Sequence, residues 1–321
     1  MTLIIDHLID LLPFLKCGLR ASQHPSGVTS SSAWRHRFGR LGAVVMLCGL
    51  LGACSMVQTA YNQSHELAYW WIDGYVDVSS EQRPLLHEEL MRLQRWHRQT
   101  QLPRYQGWLQ QLQTLAGQEV TSDQACQLYD QVWNSLPVLV QQTEAAANTL
   151  ARSLSAEQIA HLARKMDRQH RDWRREWVEA PAVEVLDKRV QRAQERAEDF
   201  YGRLDAAQRQ MLRHQAEQSP YDTALSEAMR LRRRQDMVET LQRLQRQPSS
   251  PEDAAQIVRQ LLQRSLMSPD PMHQDYVRRL NEYNCRAMAR LHNSTSPSQR
   301  QSAIKRLQKY ERDVRELIAR P

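Results

Sequence analysis

Val78-Ser79-Ser80-Glu81-Gln82, Val120-Thr121-Ser122-Asp123-Gln124, Leu154-Ser155-Ala156-Glu157-Gln158 and Leu204-Asp205-Ala206-Ala207-Gln208 carry one short signal, an apolar residue followed by a capping box. In each, the side chain of Ser79, Thr121, Ser155 or Asp205 can accept from the backbone N–H three residues on. Gln82, Gln124, Gln158 or Gln208 can reach back to the N–H of the cap itself, so two orphan donors at a helix start are satisfied together. Ser296-Pro297-Ser298-Gln299 repeats the box with proline at the first helical position, and Ser250-Pro251-Glu252-Asp253 is a related cap. The position that would complete a hydrophobic staple is Arg83, Arg209 or Arg300 in three copies, and only Ile159 suits it. The apolar residue ahead of each cap is therefore expected to dock on a neighbouring helix.

Between these starts the apolar period is helical. Leu86, Leu90, Leu93 and His97 fall on one face, as do Tyr105, Leu109, Leu112 and Ala116 after Pro103. The pattern predicts helices near 56–76, 80–99, 103–116, 122–150, 156–179, 182–201, 206–217, 221–247, 251–267, 271–293 and 297–319, the fourth kinked at Pro137. No stretch alternates with period two for long enough to make a strand. The fold class expected is all-α, an elongated antiparallel helical bundle. Gln247-Pro248-Ser249-Ser250-Pro251 and Ser268-Pro269-Asp270-Pro271 are the strongest breaks. They mark residues 251–321 as a candidate C-terminal lobe of a single domain.

Upstream of the helices, Leu51-Gly52-Ala53-Cys54 ends the apolar run Leu41 to Leu51 behind Arg35, Arg37 and Arg40. A basic flank, a short apolar core and two small residues before a cysteine read as a bacterial lipoprotein signal, cleaved between Ala53 and Cys54 with acyl chains added to Cys54. A spanning helix would need ~20 apolar residues. The expected organisation is an extension over 1–27, a signal peptide over 28–53 with Val28 as the true start, and a periplasmic helical domain over 54–321. Ser55 after the lipidated cysteine resembles the outer-membrane sorting signal of enteric bacteria. The expected place is the cell envelope, facing the periplasm, with the outer membrane favoured over the inner.

Cleavage would remove five of the 43 basic residues and two of the 36 acidic ones, lowering the formal charge from +7 to +4. The remaining basic charge is interleaved with acid and is almost all arginine, which suits ion pairing on helix surfaces or contact with anionic headgroups. Nucleic acid is not an expected partner in that compartment. Cys126 and Cys285 would meet an oxidising environment, where number and location allow a disulfide, but two buried free thiols are the default expectation. Glycine is scarce, and neither phosphate-loop nor dinucleotide-binding spacings are present.

Catalytic parts are likewise missing from the pattern. The sequence has no H-E-x-x-H, C-x-x-C or G-x-S-x-G run, and the helical pair Asp167 and His170 sits among Arg164, Lys165, Arg168 and Arg171, which repel a cation. No enzyme activity, metal or cofactor is expected. His97 shares the leucine face and reads as an interior histidine. Trp70, Trp71, Trp96 and Trp108 are expected to build the N-terminal core. Arg230, Arg232, Arg233 and Arg234 form the densest basic block, read as a hydrated helix paired with Glu227, Asp236 and Glu239, the alternative being contact with lipid phosphates.

Trp70-Trp71-Ile72-Asp73-Gly74-Tyr75, Gln82, and the run Trp96-His97-Arg98 with Leu102, Pro103 and Tyr105 resemble a family of proteobacterial lipoproteins whose shared domain has no known function. The likeness runs from about residue 55 to 290 and implies an acylated helical envelope protein without implying an activity. The repeated apolar-[S/T/D]-x-x-Q signature is also similar to the LTxxQ pattern of Spy/CpxP-type periplasmic stress proteins. The function expected is a structural or interaction role at the envelope, anchored to membrane by acyl chains and facing envelope proteins or anionic lipid headgroups. The alternative is a Spy-like chaperone or stress sensor.

Overall fold

A computed structural model describes residues 56–247 and 250–319. The lipidation and cleavage residues Ala53 and Cys54, with the leader before them, lie outside the described residues. The helices are α1 (Met56–Asn62), α2 (Ser64–Val76), α3 (Gln82–Thr100), α4 (Leu102–Ala116), α5 (Ser122–Trp133), α6 (Leu136–Ser153), α7 (Ala156–Trp177), α8 (Ala182–Tyr201), α9 (Ala206–Glu217), α10 (Thr223–Arg246), α11 (Pro251–Leu266), α12 (Pro271–Asn293) and α13 (Pro297–Ala319). No strand is present among the described residues, so the all-α bundle stands.

Two departures from the periodic pattern have local causes. The expected helix over 56–76 bends at Gln63, where Gln94 Nε2 donates to the carbonyls of Tyr61 (2.7 Å) and Asn62 (3.2 Å) and so draws them toward α3. The expected kink at Pro137 is a full break: α5 stops at Trp133, buried Ser135 turns its hydroxyl back onto the Val132 carbonyl, and α6 restarts with Pro137 in its first turn. Gly202, which ends α8, takes φ 73° and ψ −161°, a backbone region open essentially to glycine. That reversal sets up the Leu204-Asp205 start of α9.

The helices pack into two neighbouring groups. In one, α2, α3, α6, α7, α10 and α11 surround Tyr69, Val76, Leu86, Leu90, Ile159, Leu162, Leu241 and Val258. In the other, α13 lies along α4, α12 along α5, and α8 and α9 close the side, around Ala125, Cys285, Leu204, Leu212, Ala303 and Leu307. The described residues 251–319 accordingly do not form a lobe of their own. Their first helix, α11, packs on α6 and α10, whereas α12 and α13 belong with α5 and α4, because each buries its apolar stripe against a helix far away in sequence.

The tryptophans do not build the N-terminal core as expected. Tyr69, Ile72 and Val76 point inward from α2, while Trp70, turned ~100° from Tyr69 on the helix, is 63% exposed. Trp71, Trp96 and Trp108 are half-buried. Leucine, isoleucine and valine fill the interior instead.

Candidate functional site

All five boxes form the reciprocal bonds their spacing predicts. Gln82, Gln124, Gln158, Gln208 and Gln299 each accept, through Oε1, the N–H of the capping residue at 2.9–3.0 Å. The N–H groups of those glutamines are bonded in return by Ser79, Thr121, Ser155, Asp205 and Ser296. The apolar residues ahead of the caps, Val78, Val120, Leu154 and Leu204, are buried in the clusters just described. Docking on neighbours replaces the missing staple.

Four of these glutamines also pair with one another, and this was not visible in the spacing. Gln82 and Gln158 exchange Nε2 to Oε1 bonds of 3.2 and 2.8 Å, joining the starts of α3 and α7. Gln208 and Gln299 do the same at 2.9 Å in both directions, joining α9 and α13. The second amide hydrogen goes each time to the carbonyl two residues before the cap of the partner: Gln82 to Ser153, Gln158 to Asp77, Gln208 to Ser294 and Gln299 to Arg203. Each amide thus uses both donors and both acceptor positions, a complete account for a group taken from water. The same two-fold device appears once in each helix group. Gln124 stands apart, since the backbone beside its cap is held by Asn293, whose amide bonds both the N–H and the carbonyl of Val120.

The Trp96-His97-Arg98 run forms the most specific polar cluster, and its target is α1. His97 Nδ1 lies 2.9 Å from the Tyr61 hydroxyl, Arg98 donates to Asn62 Oδ1 at 2.8 Å and sits over the Tyr61 ring, and Gln94 holds the carbonyls at the α1–α2 bend. Tyr105 meets the His97 ring edge-on at 5.5 Å and continues to Trp108. Buried Leu102 and exposed Pro103 turn the chain from α3 into α4, which brings Tyr105 back to His97. From the other side of α1, Gln58 donates to Asp313 and Glu316 of α13 at 3.1 and 3.0 Å. Two separated segments, α3 and α13, thereby grip the first seven described residues.

Burial governs the chemistry of this cluster. It lowers the pKa of His97 to about 4 and raises that of Tyr61 to about 12, so at neutral pH the pair is an uncharged hydrogen bond. The His97 value is depressed from 6.5, so its contribution to stability is fully present above pH 6.5 and is lost as pH falls toward 4. Linkage puts the ceiling at about 3 kcal/mol. Urea unfolding at pH 7 and pH 5 is expected to show a loss of stability that His97→Gln reduces; an equal pH response in both proteins would contradict an interior neutral histidine.

A second tyrosine–histidine pair lies in the other helix group and was missed because its members are far apart in sequence. The Tyr201 hydroxyl is 2.9 Å from His292 Nδ1, while His292 Nε2 is 2.8 Å from the Gln118 carbonyl. Nε2 carries the proton and Nδ1 accepts from tyrosine, a tautomer fixed by these two partners. Desolvation again lowers the histidine pKa. The pair ties α8 and α12 to the turn after α4.

Arginines of the α10 block reach partners beyond their own helix. Consecutive residues point ~100° apart, so Arg234 bonds Asp167 at 2.6 Å, Arg230 covers the Trp173 ring, and Arg232 reaches Ser268. Glu227 is taken by Arg174 and His170, and Asp236 by Arg264. Among the described residues no group of three or more His, Cys, Asp or Glu is arranged to hold a metal. None of their helices is long and apolar enough to cross a membrane.

Cys126 of α5 and Cys285 of α12 are joined, with 5.1 Å between their Cα atoms, inside the cluster of Val120, Ala125 and Ala289. That separation lies within the range a disulfide spans. The free thiols expected by default give way to a bridge across the second helix group.

These features define, among the described residues, a multi-helix α protein with four helix starts locked by paired glutamines and its first described helix clamped to the body. The chain belongs to a family of unknown function (DUF6279), which it matches over residues 74–270, more than half its length. The match takes in Trp96-His97-Arg98 and both members of the Gln82–Gln158 pair. No curated protein and no solved structure matches it.

Proposed function

We propose that the protein is a lipid-anchored component of the bacterial envelope with a structural or interaction role, acylated on Cys54 and held at the periplasmic face of a membrane. The observation that carries this reading is where the Trp96-His97-Arg98 cluster is spent. His97, Arg98 and Gln94 grip the helix that follows Cys54 by two residues. Two or more acyl chains give stable membrane attachment, where a single chain binds only marginally. The outer membrane is the favoured destination, on the strength of Ser55.

Membrane flotation of cell extracts tests the anchor. The native protein should float with the membranes, and Cys54→Ala should stay in the soluble or unprocessed pool; flotation of the variant at the native level would refute the assignment. Crosslinking in intact cells would then identify the partner.

A second reading, a Spy-like chaperone, draws support from apolar side chains left at the surface. Met267 and Met272 are each 58% exposed and Leu231 is 41% exposed, and flexible methionine surfaces suit loosely specified clients. Suppression of client aggregation at stoichiometric amounts would favour it, and inertness would remove it.

A further inference from the structure

We infer that the mature protein stands on the bilayer without a flexible stalk, with one defined end of the bundle set against anionic phospholipid headgroups. This rests on Cys54 acylation, the reading given above. Cys54 precedes Met56 by two residues, a reach of at most ~7 Å for an extended chain. From Met56 onward the chain is part of the folded body, because α1 is fixed on one side by His97, Arg98 and Gln94 and on the other by Asp313 and Glu316. An acyl anchor there places the clamp at the membrane surface.

The end so defined can be named. α2 runs antiparallel to α3, with Tyr69 stacked on His87 and Tyr61 at His97, so the start of α1 lies toward the α3–α4 junction. α13 runs antiparallel to α4, since Glu311 meets Gln110 and Gln113 while Ala303 packs by Ala116, which brings its C-terminal turns to that same junction. Arg95, Arg104, Arg312 and Arg315 are exposed there. Arg95, Arg104 and Arg312 make no ion pair with a described residue, and the acids of this end, Asp313 and Glu316, are occupied by Gln58. Cations on the end that carries the tether meet the negative potential of a phospholipid surface, at ~1 kcal/mol each where they reach it. The opposite end of α3, ~27 Å away, carries the Gln82–Gln158 pair and faces the periplasm.

Nitroxide labels on Thr100→Cys and Ser80→Cys, at the two exposed ends of α3, test this in the acylated full-length protein reconstituted in anionic phospholipid vesicles. With a nickel-chelating lipid in the bilayer, relaxation of the Thr100 label should be enhanced several-fold over that of the Ser80 label. Inserting a Gly/Ser linker of ~20 residues, spanning ~25 Å, before Met56 should bring the two labels together while flotation persists, and Arg104→Glu with Arg312→Glu should narrow the difference. If the protein floats but both labels respond alike, the defined orientation is wrong and the anchor survives. If it does not float, the anchor falls and this inference falls with it.

Discussion

Gln208→Ala is expected to lower stability by about 2–4 kcal/mol, the range for breaking a buried hydrogen-bonded network and leaving its partners unsatisfied. Gln208 is 2% exposed, and its amide serves the Asp205 N–H, the Ser294 carbonyl and the amide of Gln299. Alanine removes all of these and leaves part of the half-buried Gln299 amide without a partner. For a chain of this size the midpoint of thermal unfolding should fall by roughly 5–12 °C. Gln124→Ala, which loses only a box, should cost nearer ~1 kcal/mol. The double substitution of Gln82 and Gln158 should cost clearly less than the two single changes summed, since the pair fails as a unit. Calorimetry on the soluble body checks each of these. A Gln208 variant no less stable than the Gln124 variant would show that the amide pairs do not hold the helix starts together.

The second large effect is expected from opening the bridge between Cys126 and Cys285. The bond spans a sequence separation of 159 residues, so in the unfolded chain it closes most of the body into one loop. Loop-closure entropy puts the limit at about 5 kcal/mol, and native disulfides of this kind contribute about 2–4. Cys285→Ser should therefore unfold at distinctly lower temperature than the native protein under oxidising conditions. The native protein under reductant should match the variant. Thiol alkylation before and after reduction, read as a mass shift, tests the bond itself: two thiols reactive without reductant in the unfolded chain would contradict it.

Local rules carried most of the fold. Capping boxes and 3.6-residue periodicity located the helices, because both act within one or two turns of backbone and need no knowledge of neighbours. They failed where a distant side chain intervened. Gln94 bends the first helix from across α3, and Ser135 turns the chain at a place where Pro137 alone suggested a kink. Trp70 misled for a different reason: bulk and aromaticity argue for burial, but the inward positions of α2 are set by the spacing of Tyr69, Ile72 and Val76. Pairing was illegible throughout. Gln82 with Gln158, Gln208 with Gln299, and Tyr201 with His292 lie 76 to 91 residues apart, and nothing in a single sequence says which caps meet. His97 was legible as an interior histidine from its place on the leucine face, but its partner Tyr61 was not.

The clamp on α1 gives the Trp96-His97-Arg98 run a physical task, and under the proposed lipid anchor that task is to make the body begin where the anchor ends. The central claim is the covalent state of Cys54. Mass spectrometry of the N-terminal peptide from protein extracted from native membranes tests it most directly. A peptide beginning at Cys54 and carrying acyl chains is the expected result; an unmodified Cys54 within a peptide that continues upstream through Ala53 would contradict the account.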